Sequence, residues 1–399
     1  MVIFLGAFGL SCGTNGYEPV DGPSDDGAWA SFRADPERTG LSPAATVGAN
    51  VSELWRVEDI NTTDYGAAKG SPAVEGGVVY VGSDDARFGA YDAQTGARLW
   101  EVEVAGTTQG IHGTPTIGAD HVYIGAYNGR LYAYDKDTGA QVWNYEKGFQ
   151  IGASPVLVPE HGRIYNTHER SDKGGGHIVS VDAVTGEEVW NFDIRAHPHS
   201  SVAVWVAGDM LYVGDNLATL HAVDTRKGKK IWDYQLDQTA DDEADIKTTP
   251  TVVEAHDIVV VGAWSRAVHA FDLLEGEVVW ETDLGARIMG STAYSPAHDL
   301  VYVGTLGPVD SLHALDARTG EERWRAETGA GVMSSPAIDA AENFVVVGSG
   351  SRLWAFDAET GEEAWRHEVG GSVTGSPALW ENKAYVTAKK GDLVAVETD

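Results

Sequence analysis

A single cysteine, Cys12, excludes any intramolecular disulfide, so nothing covalent staples this chain. Basic residues are scarce too: 28 Lys and Arg stand against 60 Asp and Glu, a formal charge of −32. A surface so acidic repels nucleic acid and anionic membranes, which removes both as direct partners. The acidic residues are scattered over turns and strands rather than gathered in a tail. That pattern suits solubility in concentrated salt, as in a halophile, or more plainly an acidic secreted protein. The apolar run at residues 1–11 is too short to span a bilayer. Helical periodicity is absent, and no nucleophile elbow, phosphate loop or dinucleotide fingerprint occurs.

What the chain does have is one stretch repeated. Ala90 to Trp100 reads AYDAQTGARLW, and versions of it return at Ala133, Ser180, Ala222, Ala270, Ala314 and Ala355, each closing on a Trp. Ahead of each copy stands a small-residue pair, usually with proline: Ser71-Pro72, Thr114-Pro115, Ser154-Pro155, Thr249-Pro250, Ser335-Pro336 and Ser376-Pro377, with Ser201-Val202 and Ser291-Thr292 as degenerate forms. Successive pairs lie 40 to 48 residues apart. A fixed period in this range means stacked supersecondary units. Each unit holds three or four short β-rich runs broken by Gly, Asp and Thr. Asp-x-x-Thr-Gly is a tight turn: Asp accepts backbone N–H bonds and Gly supplies the positive φ. Four-stranded sheets repeated around an axis make a β-propeller.

The two ends complete each other. Ala395-Val396-Glu397 begins an eighth copy that stops before its turn and Trp, while Ser52 to Val57, with Trp55, reads as an orphan outer strand. Pairing them gives an all-β, eight-bladed propeller of four-stranded antiparallel blades, closed by the N-terminal strand.

The eleven-residue unit resembles the tryptophan-docking motif, AxDxxTGxxxW, of the pyrroloquinoline-quinone (PQQ) repeat family. Seven copies stand here, with Asp at 92, 135, 182, 224, 272, 316 and 357 and Trp at 100, 143, 190, 232, 280, 324 and 365. The likeness covers about residues 50 to 399, and Trp29 to Gly40 resembles the lead-in segment of many such propellers. The resemblance implies eight blades. It leaves two main activities open, since one fold hosts many functions. One is a non-catalytic propeller of the outer-membrane protein-assembly lipoprotein type, which would bind protein partners and use no cofactor. The other is a quinoprotein dehydrogenase using PQQ with calcium. The alcohol-oxidising members usually carry a disulfide against the quinone, which one cysteine forbids, and no long insertion or matching Glu, Asn and Asp set is evident in this sequence. The expectation is therefore a protein-binding or assembly scaffold, monomeric and without catalytic residues.

Candidate binding residues follow from the fold. Ligands of propellers bind at the mouth of the axial channel, so the residue three places before each proline position matters most. In blade order these are Lys69, His112, Gly152, His199, Lys247, Met289, Met333 and Thr374. Lys69, His112, His199 and Lys247 would form a cationic patch for PQQ or another small anion; the alternative is a water-filled channel lined by mixed polar residues. His197-Pro198-His199 is a weak metal pair, read as a loop. Asp237 to Asp245 is rich in carboxylates but lacks calcium-loop spacing, and reads as solvated surface. Glu169 to Gly176 reads as a mobile interruption of blade three. Gly9-Leu10-Ser11-Cys12 resembles a lipobox, which would lipidate Cys12 and place the protein at an extracytoplasmic membrane surface; a plain signal segment is the alternative. The domain reading is thus a signal segment at 1–12, a flexible tether at 13–28 and the propeller at 29–399.

Overall fold

Each repeat folds into one antiparallel sheet because short Val- and Tyr-rich runs alternate with turns that reverse the chain. The computed structural model describes residues 17–25, 27–63, 70–107, 109–170, 174–237 and 245–399. Eight sheets result, seven of them running from an inner to an outer strand in chain order. In blade one these are Ala73–Glu75, Val78–Gly82, Arg87–Asp92 and Arg98–Glu103. Blade eight takes its first three strands, Ala378–Trp380, Lys383–Lys389 and Leu393–Thr398, from the C-terminus and its outer strand, Val51–Val57, from the N-terminus. Trp55 sits opposite Ala395 and Val57 opposite Leu393. The ring is closed by the chain's own two ends.

The repeated residues interlock neighbouring blades. In blade one, Tyr80, Ala90 and Trp100 lie side by side across three strands, and the same row recurs as Tyr212, Ala222 and Trp232 in blade four. The small central residue lets the flanking Tyr and Trp rings tilt together, at 6.0 Å and 5.8 Å between centroids. Seven of the eight closing indoles donate the N–H to the carbonyl just after the turn Asp of the next blade, as Trp100 does to Lys136, Trp232 to Leu273 and Trp280 to Ala317. Where Tyr is present its hydroxyl donates to the same oxygen, as Tyr212 does to Leu273. The turn glycine must be glycine. Gly276 has φ +71°, and a Cβ there would lie 2.5 Å from the Trp232 ring. Trp365 of blade seven has no such turn to meet, because blade eight lacks one; its N–H goes instead to the carbonyl of Gly48.

The segment from Trp29 to Gly40 runs around one end of the axis. Its carbonyls accept inward-pointing N–H groups of six inner strands: Trp29 from Val74, Ala30 from Ile117, Pro36 from Val204, Glu37 from Val252, Thr39 from Tyr294 and Gly40 from Ile338. Two arginines from this arm, Arg33 and Arg38, are 2% and 0% exposed. Arg33 donates to the carbonyls of Pro336 and Thr292, and Arg38 to those of Val202 and Pro155. Burial pulls both guanidinium groups down, to about 9 and about 10, which still leaves them charged at neutral pH. The arm therefore satisfies the backbone groups that an open channel would leave to water.

The tether expected at 13–28 is shorter than its composition suggests. From Tyr17 onward the chain lies against the propeller. Tyr17 stacks on His161 at 4.0 Å and bonds Thr225, while Asp25 accepts the Trp380 indole N–H. Aromatic stacking outweighs the flexibility of the surrounding Gly, Pro and Ser. Residues 1–16, with Cys12, lie outside the described residues.

Candidate functional site

The small residues before each proline do more than turn the chain. The N–H of Thr114 donates to the Ser154 hydroxyl, Ser154 to Ser201, Ser201 to Thr249, Thr249 to Ser291, Ser291 to Ser335, Ser335 to Ser376 and Ser376 to Ser71. These seven links form a belt around the axis. They hold the eight strand starts at one level, so the residues just upstream must face the same space.

That space is one axial cavity of about 70 Å³, floored by Phe32 of the N-terminal arm. His112, Gly152, His199, Lys247, Met289, Met333 and Thr374 all line it. Of the four candidate residues, His112, His199 and Lys247 are thus brought together; Lys69 lies outside the described residues. None of the three is idle. His112 bonds the Gln109 carbonyl through Nε2 at 2.7 Å, and its ring stands 4.0 Å from Tyr127. Lys247 Nζ is 3.1 Å from Asp245 and lies over the Trp264 ring at 4.7 Å, which Arg287 also covers at 5.0 Å. His199 Nδ1 is 3.1 Å from Glu169 Oε1, with His197 Nδ1 at 3.8 Å from the other oxygen.

Glu169 is the residue the sequence misplaced. It is buried at the end of the strand Arg163–Glu169 and pairs with Gln150, rather than sitting in a mobile hairpin. The expected interruption begins after it, and its centre, 171–173, lies outside the described residues, as does 238–244 of the acidic stretch. Blade three departs from its neighbours along this strand: Asn166, Thr167, His168 and Glu169 stand where blade two has Ile124, Gly125, Ala126 and Tyr127. That substitution of polar for small and apolar residues was the available signal. The consequences are visible in the hydrogen bonding. The amide of Asn166, both ring nitrogens of His168, Glu169 Oε1, His197 Nδ1 and Asn216 Oδ1 are buried without a hydrogen-bond partner among the described residues. The close approach of Glu169 Oε1 to His199 is an ion-pair distance at an angle that makes no hydrogen bond. Burial holds the His168 imidazole down at about 3, so it is neutral. Burial and the Glu169 charge push the Tyr127 phenol up to about 12.

The axial cavity has room for a few waters. It falls well short of the roughly 300 Å³ at which organic-ligand pockets begin, so the residues in place do not accommodate a tricyclic tricarboxylate such as PQQ. Among the described residues, no group of three or more His, Cys, Asp and Glu converges as a metal site. Glu169 and Asn216 nevertheless offer orphaned oxygens of the kind a hard cation takes. A larger cavity, about 560 Å³, lies away from the axis between blades three and four and is walled by Asp193, Arg195, Asp215, His221, Lys230 and Asp233. No helix among the described residues is long and apolar enough to cross a membrane.

Known proteins resemble this chain in two ways. The profile of the family described as outer membrane protein assembly factor BamB matches residues 45–163, 174–263 and 264–399. No curated protein matches the sequence. Among solved structures, the quinohemoprotein alcohol dehydrogenase from Comamonas testosteroni superposes with a TM-score of 0.79 at 16% identity, covering 93% of this chain and 80% of its own. A europium-containing methanol dehydrogenase gives 0.79 at 14%, over 94% and 98%. BamB from Moraxella catarrhalis gives 0.68 at 17%, over 87% and 100%. At these identities the likeness is one of fold.

Proposed function

The chain belongs to the family of the outer membrane protein assembly factor BamB, and on that footing we propose that it is a non-catalytic, extracytoplasmic propeller acting as a protein-binding or assembly scaffold. The observation that carries this reading is the closed axis. The Trp29–Gly40 arm fills one end, and the cavity left above it holds only about 70 Å³. Its polar side chains are already engaged: Lys247 by Asp245 and Trp264, and His199 beside Glu169. The two faces are rigid, because belt, arm and interblade indoles tie every blade to the next. Such faces suit protein recognition. Lipidation at Cys12 would anchor the scaffold to a membrane surface that its charge of −32 otherwise avoids.

A second reading, a small PQQ-dependent dehydrogenase, is favoured by one observation, the orphaned oxygens of Glu169 and Asn216 beside the mouth. A third, a receptor for a small anion at His112, His199 and Lys247, rests on their shared cavity. The readings separate in one experiment. Purified protein is incubated with PQQ and Ca²⁺, then assayed for reduction of an artificial dye with alcohols and sugars and for a shift in its melting midpoint. The scaffold reading expects no turnover and no midpoint shift beyond that of Ca²⁺ alone. Turnover establishes the dehydrogenase, and a shift that PQQ adds over Ca²⁺ alone, without turnover, establishes the anion receptor.

A further inference from the structure

The outer strand of every blade is a sheet edge, and edges need guarding against unwanted strand pairing. Two places before the closing Trp, seven blades carry a charged or amide residue: Arg98, Gln141, Glu188, Lys230, Glu322, Glu363 and Glu53. Blade five alone carries an apolar one, Val278. Its neighbour Val279 and the turn residue Leu274 are apolar as well. The three are 40%, 50% and 61% exposed, and Leu274 is the most exposed large hydrophobic residue among the described residues. A bulge beside the Trp is common to these strands, so it does not distinguish blade five.

The other half of the same strand is acidic. Beyond Trp280, Glu281 and Asp283 face a groove of about 260 Å³ between blades four and five, which Asp237 and one cation, Arg266, also line, leaving three carboxylates against one guanidinium. His269 stands there 3.6 Å from Glu281, only 6% exposed, with neither ring nitrogen hydrogen-bonded among the described residues. No Lys or Arg occurs between Arg266 and Arg287. A buried polar group without a partner, in an acidic groove beside an unguarded edge, is a place where something else supplies the donor.

We propose that the outer edge of blade five is a docking edge for an extended segment of a partner protein, apolar at one end and basic at the other. The segment adds a strand along Trp280–Asp283, its apolar end covering Leu274, Val278 and Val279 and its Lys or Arg side chains reaching Glu281, Asp283 and Asp237. Main-chain bonds give such an addition its affinity and the side chains its specificity. A second copy of this chain is excluded as the occupant by charge: in an antiparallel pair Glu281 and Asp283 would face Glu277 and Glu275 of the copy, and like charges across a strand pair destabilise it. This deepens the scaffold reading by stating the chemistry of the partner.

The test uses the folded chain and a synthetic peptide of about eight residues, a typical strand length, with three apolar residues followed by alternating Thr and Lys. Hydrogen exchange is followed strand by strand. At saturating peptide the outward amides of Trp280–Asp283 are expected to exchange about tenfold more slowly, with the other outer strands unchanged. A Thr/Glu counterpart peptide is expected to give no protection. Val278→Lys, which copies the residue blade four carries at this position, removes the effect without touching the core. Glu281→Gln with Asp283→Asn weakens it severalfold. Protection spread over several outer strands, protection that survives Val278→Lys, or no protection at all overturns the proposal. Each of these leaves the scaffold reading to its own test, the absence of PQQ-dependent turnover.

Discussion

Replacing Arg38 by methionine keeps most of the side-chain volume and removes the guanidinium from the centre of the ring. Four hydrogen bonds go with it: to the Val202 and Pro155 carbonyls of blades four and three, and to Phe32 O and Ser31 Oγ within the arm. At roughly 1.5–3 kcal/mol for each bond to a charged group, the gross loss is about 6–12 kcal/mol. Opposing it is the cost of holding a charge at 0% exposure, several kcal/mol, which the variant no longer bears. The orphaned carbonyls decide the sign, because no water reaches them, and the net destabilisation should be about 3–5 kcal/mol. With an unfolding entropy of about 2.1 cal/mol/K per residue over about 370 residues, the melting midpoint falls by about 4–6 °C. Differential scanning calorimetry measures it. Arg38→Lys is the control: one ammonium reaches only one or two of the four acceptors and keeps the cost of a buried charge, so its loss should be at least as large. A methionine variant melting within about 1 °C of the parent refutes the claim that the arm caps the inner strands.

Interblade indoles should not be equivalent. Trp232→Phe removes one donor from the Leu273 carbonyl, but Tyr212 still supplies another, so the expected loss is about 1 kcal/mol beyond packing. Trp280→Phe leaves the Ala317 carbonyl without its donor, since Val260 stands where Tyr212 does in blade four, and should cost about 1–3 kcal/mol more. Urea midpoints of the two variants compare them directly; equal values sink the argument. Acid should act through His168. Its folded pKa, about 3, lies below the unfolded value near 6.5, so its contribution is intact above about 6.5 and is lost as pH falls from there towards 3. The slope is about 1.4 kcal/mol per pH unit from this group, and His168→Leu should flatten stability against pH in that window. An unchanged acid profile in the variant shows that the ring is solvated or protonated in the folded state.

The ring itself was legible because its instructions are local and repeated. A turn Asp, a turn Gly and a closing Trp recur at fixed spacing, and each contacts only the adjacent blade, as Trp100 does Lys136 and Gly139. Closure was legible for the opposite reason: Trp55 and Ala395 are the two halves of a unit that neither end completes. The channel-mouth residues could be placed by counting back from the prolines, and His112, His199 and Lys247 do share one cavity.

Pattern gave no hint of the contents of the axis. Arg33 and Arg38 sit in the lead-in segment, where nothing in the sequence marks them as buried, because their partners are main-chain carbonyls that no side-chain alphabet records. Nothing local marks the belt either, since a Ser or Thr at a strand start looks like turn chemistry until eight of them, six before a proline, ring the axis. Blade three shows how the two kinds of information combine. Alignment with blade two puts Asn166 and His168 on a strand, whereas Glu169 reads as the start of the interruption; only the packing shows that polar atoms of all three are enclosed and unpartnered among the described residues. Groups left unsatisfied in a native fold weaken it unless something engages them, so the cluster is the one part of the axial site whose chemistry the scaffold alone does not explain. If Ca²⁺ engages Glu169 and Asn216, adding it should raise the melting midpoint of the parent and not of Glu169→Gln. A rise shared by both places the ion elsewhere on this acidic surface, and no rise in either leaves the cluster as buried polar strain.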